Sequence, residues 1–246
     1  MTYLGFHARF NLPPTLLLAF LLGRHWEGGL SFFGLNLVAA AIVCLLVFLF
    51  ASPWDNWAVQ QGIWGFTPHR TGRRIGWLPW EEYLFFLWQS VNVVGTVALL
   101  FFLRPGWRTG EATPLSPLNG LGVLAILAGW AAVLHWWREK PRSPRWGYAW
   151  HLFSWFLPVI AFQWAIAPAL LFHQLPVIAC AGALWGTYYT VADLVAVRSG
   201  IWFFDPKQIT GVRLGGILPW EEAAFFYVTS WLVAQSFVML LPAAGR

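Results

Sequence analysis

Two stretches of this chain repeat each other. Asp55-Asn-Trp-Ala-Val-Gln-Gln-Gly-Ile-Trp-Gly-Phe66 returns as Asp193-Leu-Val-Ala-Val-Arg-Ser-Gly-Ile-Trp-Phe-Phe204, and Leu78-Pro-Trp-Glu-Glu-Tyr-Leu-Phe-Phe86 returns as Leu218-Pro-Trp-Glu-Glu-Ala-Ala-Phe-Phe226. The offset is 138 residues in the first block and 140 in the second, so one small insertion separates two copies of one design. The repeats hold Asp55, Glu81, Glu82, Asp193, Glu221 and Glu222, six of the ten acidic residues of the chain. A fold for this sequence must therefore place the same acidic constellation twice.

The surroundings of the repeats set the medium. The chain is 59% hydrophobic and 10% charged, with long uncharged apolar runs, which marks an integral membrane protein. A span needs roughly 17–25 largely apolar residues, and such runs fall near 3–22, 30–50, 79–103, 117–137, 149–171, 175–196 and 218–241. The first carries His7, Arg9 and Asn11 and lacks a small-residue cleavage pattern, so no cleavable signal is expected. Pro79, Pro117, Pro176 and Pro219 suit first helical turns, where a missing N–H costs nothing. Cys44 and Cys180 fall inside apolar runs and are expected to be buried hydrophobes, neither a disulfide nor a metal pair.

The net charge of +5 sits in short loops, which fits membrane topology and gives no sign of nucleic-acid binding. The loops after spans 2, 4 and 6 hold Arg70, Arg73, Arg74, Arg138, Lys140, Arg142, Arg145, Arg198, Lys207 and Arg213. The opposite side has Arg24, Arg104, Arg108 and Arg246. This asymmetry places the N-terminus and both repeat loops on the cytoplasmic side of a cell (inner) membrane. Span 2 corresponds to span 6 and span 3 to span 7, an even separation, so the two copies run in the same direction. The expected fold is all-α, with seven transmembrane helices in two parallel repeats (3+1+3) related by an axis along the membrane normal. Residues 1–104 form the first repeat, 105–148 a linking span and basic loop, and 149–246 the second repeat.

In each copy a Pro-Trp-Glu-Glu sequence opens a helix. There the helix dipole favours an ionised carboxylate by about 0.3–1 kcal/mol, while apolar burial and a neighbouring like charge favour the acid. Adjacent residues point about 100° apart on a helix, so the two members of each pair are expected in different environments and roles. Splitting acid from base by environment is how acid–base sites are built. The bland alternative is helix-capping acids paired with Arg74, Arg198 or Arg213; identical Trp, Gly and Phe neighbours in both copies argue against it. Trp64, Trp80, Trp202 and Trp220, with Phe85 and Phe225, stand beside the carboxylates and are candidates to line an apolar site and hold a cation. Interface belts account for a good share of the 19 Trp and 21 Phe.

Other signals are weak. Gly120-Leu-Gly-Val-Leu-Ala125 matches a dinucleotide fingerprint, but it opens an apolar span with no preceding strand and is expected to serve helix packing. The histidines lack metal-ligand spacing; His7 and His151, inside spans, are expected to be packed and hydrogen-bonded. Neither lysine lies in a span, which excludes a retinal Schiff base. No cofactor and no metal are expected.

The doubled Asp…Gly-Ile-Trp followed by Pro-x-Glu-Glu-x-x-Phe-Phe resembles the membrane lycopene cyclases of the heterodimeric type, whose two copies occur as two small subunits or fused in one chain. The resemblance covers essentially the whole length. It implies an enzyme closing β-rings on the ends of lycopene or a related linear carotenoid without net redox change, an isomerase of the intramolecular lyase kind. It implies catalytic roles for Glu81, Glu82, Glu221 and Glu222, and no flavin. Asp55 and Asp193 would relay protons or orient the glutamates. Such a reaction needs a proton donor, a base, cation-tolerant aromatics and exclusion of water. A hydratase or a cyclase of other ring types would share the first step. A 3+1+3 small-solute transporter would instead place its polar groups mid-span, where only neutral residues such as Asn92, Gln163 and Gln235 occur. Self-association as a homo-oligomer is left open.

Overall fold

The computed structural model describes residues 1–24, 31–32, 35–108, 116–139 and 144–241. Lys140, Arg142 and Arg246, counted for orientation, and residues 30, 33 and 34 of the second expected span lie outside the described residues. Among the described residues, five helices are long and apolar enough to cross a membrane. They are α3 (Leu37–Gln60), α4 (Trp80–Leu103), α6 (Gly147–Ile166, extended by a 3₁₀ turn from Pro144), α8 (Leu175–Arg198) and α9 (Trp220–Leu240). The chain is multi-pass and mostly helical. The other helical segments are α1 (Tyr3–Phe6), α2 (Leu12–Gly23), α5 (Pro117–Glu139) and α7 (Pro168–His173).

A π-helical turn, His7–Asn11, joins α1 to α2. Pro13 and Pro14 follow at once; a proline ring collides with the carbonyl four residues back, and the wider turn relieves that collision. Large apolar side chains such as Leu45, Leu49 and Leu103 are more than half exposed, which suits lipid contact along the bundle's outside. In the middle, α4 packs on α2, α3, α8 and α9, and α9 also packs on α3, α6 and α8. Gly182 and Gly186 of α8 let α9 approach closely: a Cβ on Gly186 would stand 2.5 Å from the Tyr227 ring. This is the small-residue packing of membrane helices. Of the expected small-residue pair in α5, Gly122 faces Ala165, while Gly120 has open space beside it.

The second expected span is corrected. Its helix, α3, starts at Leu37 and runs on to Gln60, so Pro53 and Asp55 are helical. The apolar run ends near residue 50, but the helix continues because Trp54, Asp55, Ala58 and Val59 are buried against the protein. Pro79 and Pro219 are also shifted by one position: each is the extended residue before its helix, which begins at Trp80 or Trp220. Cys180 is exposed and Cys44 half-buried, not buried as expected, and both are free.

The repeats carry short strands that apolar patterning did not predict. After α3 and α8 the chain turns at Gly62 (φ +69°) and Gly200 (φ +65°). The Ile63 N–H then reaches back to the Ala58 carbonyl (3.0 Å) and the Ile201 N–H to Ala196 (3.1 Å), a Schellman-type stop that needs glycine. Strand β3 (Trp64–Phe66) then pairs antiparallel with its own counterpart β6 (Trp202–Phe204), Gly65 opposite Phe203. Each copy next forms a small hairpin: β4 (Arg74–Ile75) with β5 (Leu78–Pro79), and β7 (Arg213–Leu214) with β8 (Leu218–Pro219). The second turn is one residue longer, using Gly215 and Gly216 at positive φ, which accounts for half of the two-residue change in repeat offset. A further pair, β1 (Ser31–Phe32) with β2 (Leu35–Asn36), precedes α3.

Candidate active site

The hairpins deliver Glu81-Glu82 and Glu221-Glu222 to the first turns of α4 and α9, and the two members of each pair face different partners. Glu81 turns back to the loop, where its Oε1 accepts from the Gly72 N–H at 2.7 Å. Glu221 does the same with the Thr210 N–H at 2.7 Å. In the second copy the Thr210 hydroxyl also accepts from the Trp220 indole at 2.6 Å. In the first copy Gly72 takes that place, and a Cβ there would come within 2.3 Å of the Trp80 indole nitrogen, so the ring would have to shift. Glu81 and Glu221 are both buried, and each leaves its second oxygen unpaired among the described residues.

Glu82 and Glu222 turn inward. Tyr3 donates to Glu82 Oε2 at 2.7 Å, and Tyr148 donates to Glu222 Oε2. The Asp55 carboxyl lies close to the Glu82 carboxyl and the Trp64 indole, and its Oδ1 has no hydrogen-bond partner among the described residues. Asp193 lies near the Trp202 indole and within electrostatic reach of both Glu222 and Glu82, and neither of its carboxyl oxygens has a hydrogen-bond partner among the described residues. The last turns of α3 and α8 thus supply the aspartates, and the first turns of α4 and α9 supply the glutamates.

All this surrounds one small cavity of about 30 Å³, room for no more than a water or two. Asp55, Glu82 and Glu222 line it together with Tyr3, Tyr148, Trp64, Trp202, Phe85 and Phe225. Trp54, Phe66, Phe204 and Phe226 complete the wall. Asp193 stands immediately behind it, fully buried. Residues of both copies therefore line this one cavity. Trp80 and Trp220 lie off the cavity: Trp80 is 38% exposed, and Trp220 packs on Phe153.

The rings are held in order. Trp54 is stacked between Phe225 (5.2 Å, 6°) and His151 (4.8 Å, 3°). His151 Nε2 is 3.0 Å from the Trp54 carbonyl, and the Trp54 indole donates to the His151 carbonyl at 3.1 Å. His7 stacks on Tyr3 at 4.8 Å and hydrogen-bonds the Glu81 carbonyl (2.9 Å) and Asn11 (2.6 Å). Both histidines are packed and hydrogen-bonded, as expected. Tyr3, Tyr148 and Trp54 were not singled out from the sequence. A faint signal exists: each half opens its first span with a tyrosine about one turn before a histidine, Tyr3 before His7 and Tyr148 before His151.

Comparison with known proteins adds an independent finding. A family model described as lycopene cyclase matches residues 12–106 and 121–241. The chain is similar to the lycopene beta-cyclase of Halobacterium salinarum, 29% identical over 238 residues that cover 97% of this chain and 95% of that protein. It is also similar to the bifunctional lycopene cyclase/phytoene synthase of Phycomyces blakesleeanus, 28% identical over 235 residues, 92% of this chain and 37% of that one. The corresponding protein of Blakeslea trispora is 27% identical over 237 residues, 92% and 36%. No solved structure matches the chain.

Proposed function

The chain belongs to the lycopene cyclase family, and from that premise we propose that it is a lycopene β-cyclase with Glu82, Glu222, Asp55 and Asp193 as its acid–base machinery. The observation that carries this reading is the convergence of carboxyls from both repeats on one aromatic-walled cavity. Asp55 and Glu82 supply the acid: a proton from this pair is delivered to the terminal double bond of the polyene, leaving a tertiary carbocation. The next double bond along the chain attacks that centre, closes a six-membered ring and moves the cation into the ring. Glu222, with one oxygen occupied by Tyr148, then removes a ring proton as base and leaves the ring double bond. One proton enters and one leaves, so substrate and product are isomers and no redox partner is called for. Trp64 and Trp202, which line the cavity, are the rings that stabilise the cation, an interaction of about 2 kcal/mol or more away from water.

Glu81 and Glu221 act as positioning residues that pin the loop ahead of each helix. The two-repeat plan (1–104 and 149–246 about a link at 105–148), with seven spans as 3+1+3, belongs to the same proposal. The pairing of β3 with its own counterpart β6 supports a twofold relation between the halves. The cation-rich repeat loops support a site facing the cytoplasm of the cell membrane.

The test is expression in a bacterium that accumulates lycopene, with the pigment analysed by chromatography and mass. A product isomeric with lycopene that elutes as a mono- or bicyclic carotene with a β-ring spectrum is expected. Unchanged lycopene, with the protein present in the membrane, would overturn the proposal; a product heavier by one water would redirect it to a hydratase.

A further inference from the structure

A second and larger cavity, about 380 Å³, lies deeper in the bundle between α3, α6 and α9. Its volume falls within the roughly 300–1,000 Å³ usual for small-molecule sites. The floor is Phe86, Phe225 and Val233, all buried, and the rim residues Leu46, Phe162 and Leu240 are exposed on the bundle's outside. Its polar lining groups satisfy one another: Gln163 donates to Ser236 at 2.7 Å and Gln89 to Thr229 at 2.8 Å. It therefore presents hydrocarbon to whatever fills it. Phe225 lines both this groove and the carboxyl cavity.

Among the described residues the equivalent space of the other half is filled, and the sequence says why. With the 138-residue offset, Val47 and Ala51 correspond to Trp185 and Tyr189. Those two large rings, both buried, fill the equivalent space against α4. Trp185 donates to Thr96 at 2.8 Å and Asn92 donates to Tyr189 at 2.9 Å. Tyr189 packs edge-on against Phe85 at 5.3 Å, so Phe85 meets a plug where its counterpart Phe225 meets open space.

Resting on the cyclase reading, we infer that this groove seats the chain of a linear polyisoprenoid, which enters sideways from the bilayer between α3 and α6 and presents its end to the carboxyls past Phe225. The site thus has two copies of its acidic residues and one apolar approach. A molecule with two reactive ends is processed one end at a time, and the half-reacted product must leave the groove before its other end enters.

The experiment fills the groove with the residues that already stand in the other half: Val47→Trp and Ala51→Tyr, flanked by the graded set Ala51→Val and Ala51→Leu. Leu45→Trp, on the exposed outer face of α3, is the control. Two readouts are taken on protein purified from lycopene-accumulating cells: lycopene retained per chain, and cyclised product per chain. Both are expected to fall with added volume at position 51, by at least about tenfold in Ala51→Tyr and Val47→Trp, while Leu45→Trp stays at wild type. If the largest variants fail to reach the membrane, the Val and Leu steps carry the same trend. Wild-type retention and turnover throughout the series would overturn the inference and leave the groove to a lipid acyl chain, identified by mass in the purified protein. Lycopene retained by wild type and lost on filling, without any cyclised product, would uphold the groove and sink the cyclase reading instead.

Discussion

Around the carboxyls the two halves match at most positions: Tyr3 with Tyr148, Asp55 with Asp193, Trp64 with Trp202, Glu82 with Glu222, Phe85 with Phe225, with Trp54 against Ala192 as the exception. One and two helical turns deeper they part, with Ala51 against Tyr189 and Val47 against Trp185. The difference separates what both copies must do from what only one does. Binding and moving protons at one shared cavity uses both sets of acids, so both are kept alike. Admitting a long apolar chain needs one opening, and the second copy closes its equivalent with rings that tie α8 to α4.

The sharpest way to break this comparison is at the inward-facing acids. Glu82→Gln and Glu222→Gln each remove a proton-transfer group, an effect of about 10²–10⁴-fold for general acid–base catalysis. Turnover per membrane-inserted chain should fall by that order in both variants. Near-wild-type turnover in either would show that the halves are not equivalent at the chemistry. The tyrosines come next. Tyr3→Phe and Tyr148→Phe each delete one hydrogen bond to a carboxyl, about 1.5–3 kcal/mol for a charged partner, or about 10–100-fold in rate. Equal losses would sharpen the pairing of the two halves. A loss confined to Tyr148→Phe would fix Glu222 as the base that needs a held orientation.

Glu81 and Glu221 should behave differently, although the sequence treats each Glu-Glu pair as one motif. Glutamine keeps an Oε1 that can accept from Gly72 or Thr210, so Glu81→Gln and Glu221→Gln should retain activity within about tenfold. Glu81→Ala removes the acceptor of the part-buried Gly72 N–H hydrogen bond and should cost about 0.5–1.5 kcal/mol of stability, read as a lower thermal midpoint in detergent. A loss of turnover in Glu81→Gln as large as in Glu82→Gln would remove the distinction between pinning and reacting acids.

Why the motif hid this distinction is physical. Spacing along the chain shows that two acids stand on one helical turn, but not that the chain ahead of each helix folds back as a hairpin. That hairpin turns Glu81 and Glu221 outward into loop capping. Asp55 was legible as an acid and not as a helical residue, because hydropathy ends the span near residue 50 whereas burial of Trp54 and Ala58 carries the helix to Gln60. Tyr3 and Tyr148 escaped because their repeat is broken: Tyr3 stands four residues before His7 and Tyr148 three before His151. The π-helical turn beginning at His7 lies beside that break. The groove was written in the alignment of the copies as small residues opposite large ones, but only the packing of α3, α6 and α9 gives that contrast a meaning.

The smallest effect is expected on the line where the halves meet. Gly65 sits opposite Phe203 in the pairing of β3 with β6, and a Cβ there would approach the Phe203 ring at 2.9 Å. The clash is with the far end of a side chain that is 57% exposed, so the ring can swing aside. Gly65→Ala should lower stability by less than about 1 kcal/mol, below the 1–3 kcal/mol usual for overpacking a closed core, and should leave turnover unchanged. Phe203→Leu, made in the Gly65→Ala background, should restore the thermal midpoint. A large drop from Gly65→Ala that Phe203→Leu fails to repair would mean that the strand pair itself, rather than the ring contact, fixes the register of one half on the other. The two sets of acids would then depend on that register to share a cavity.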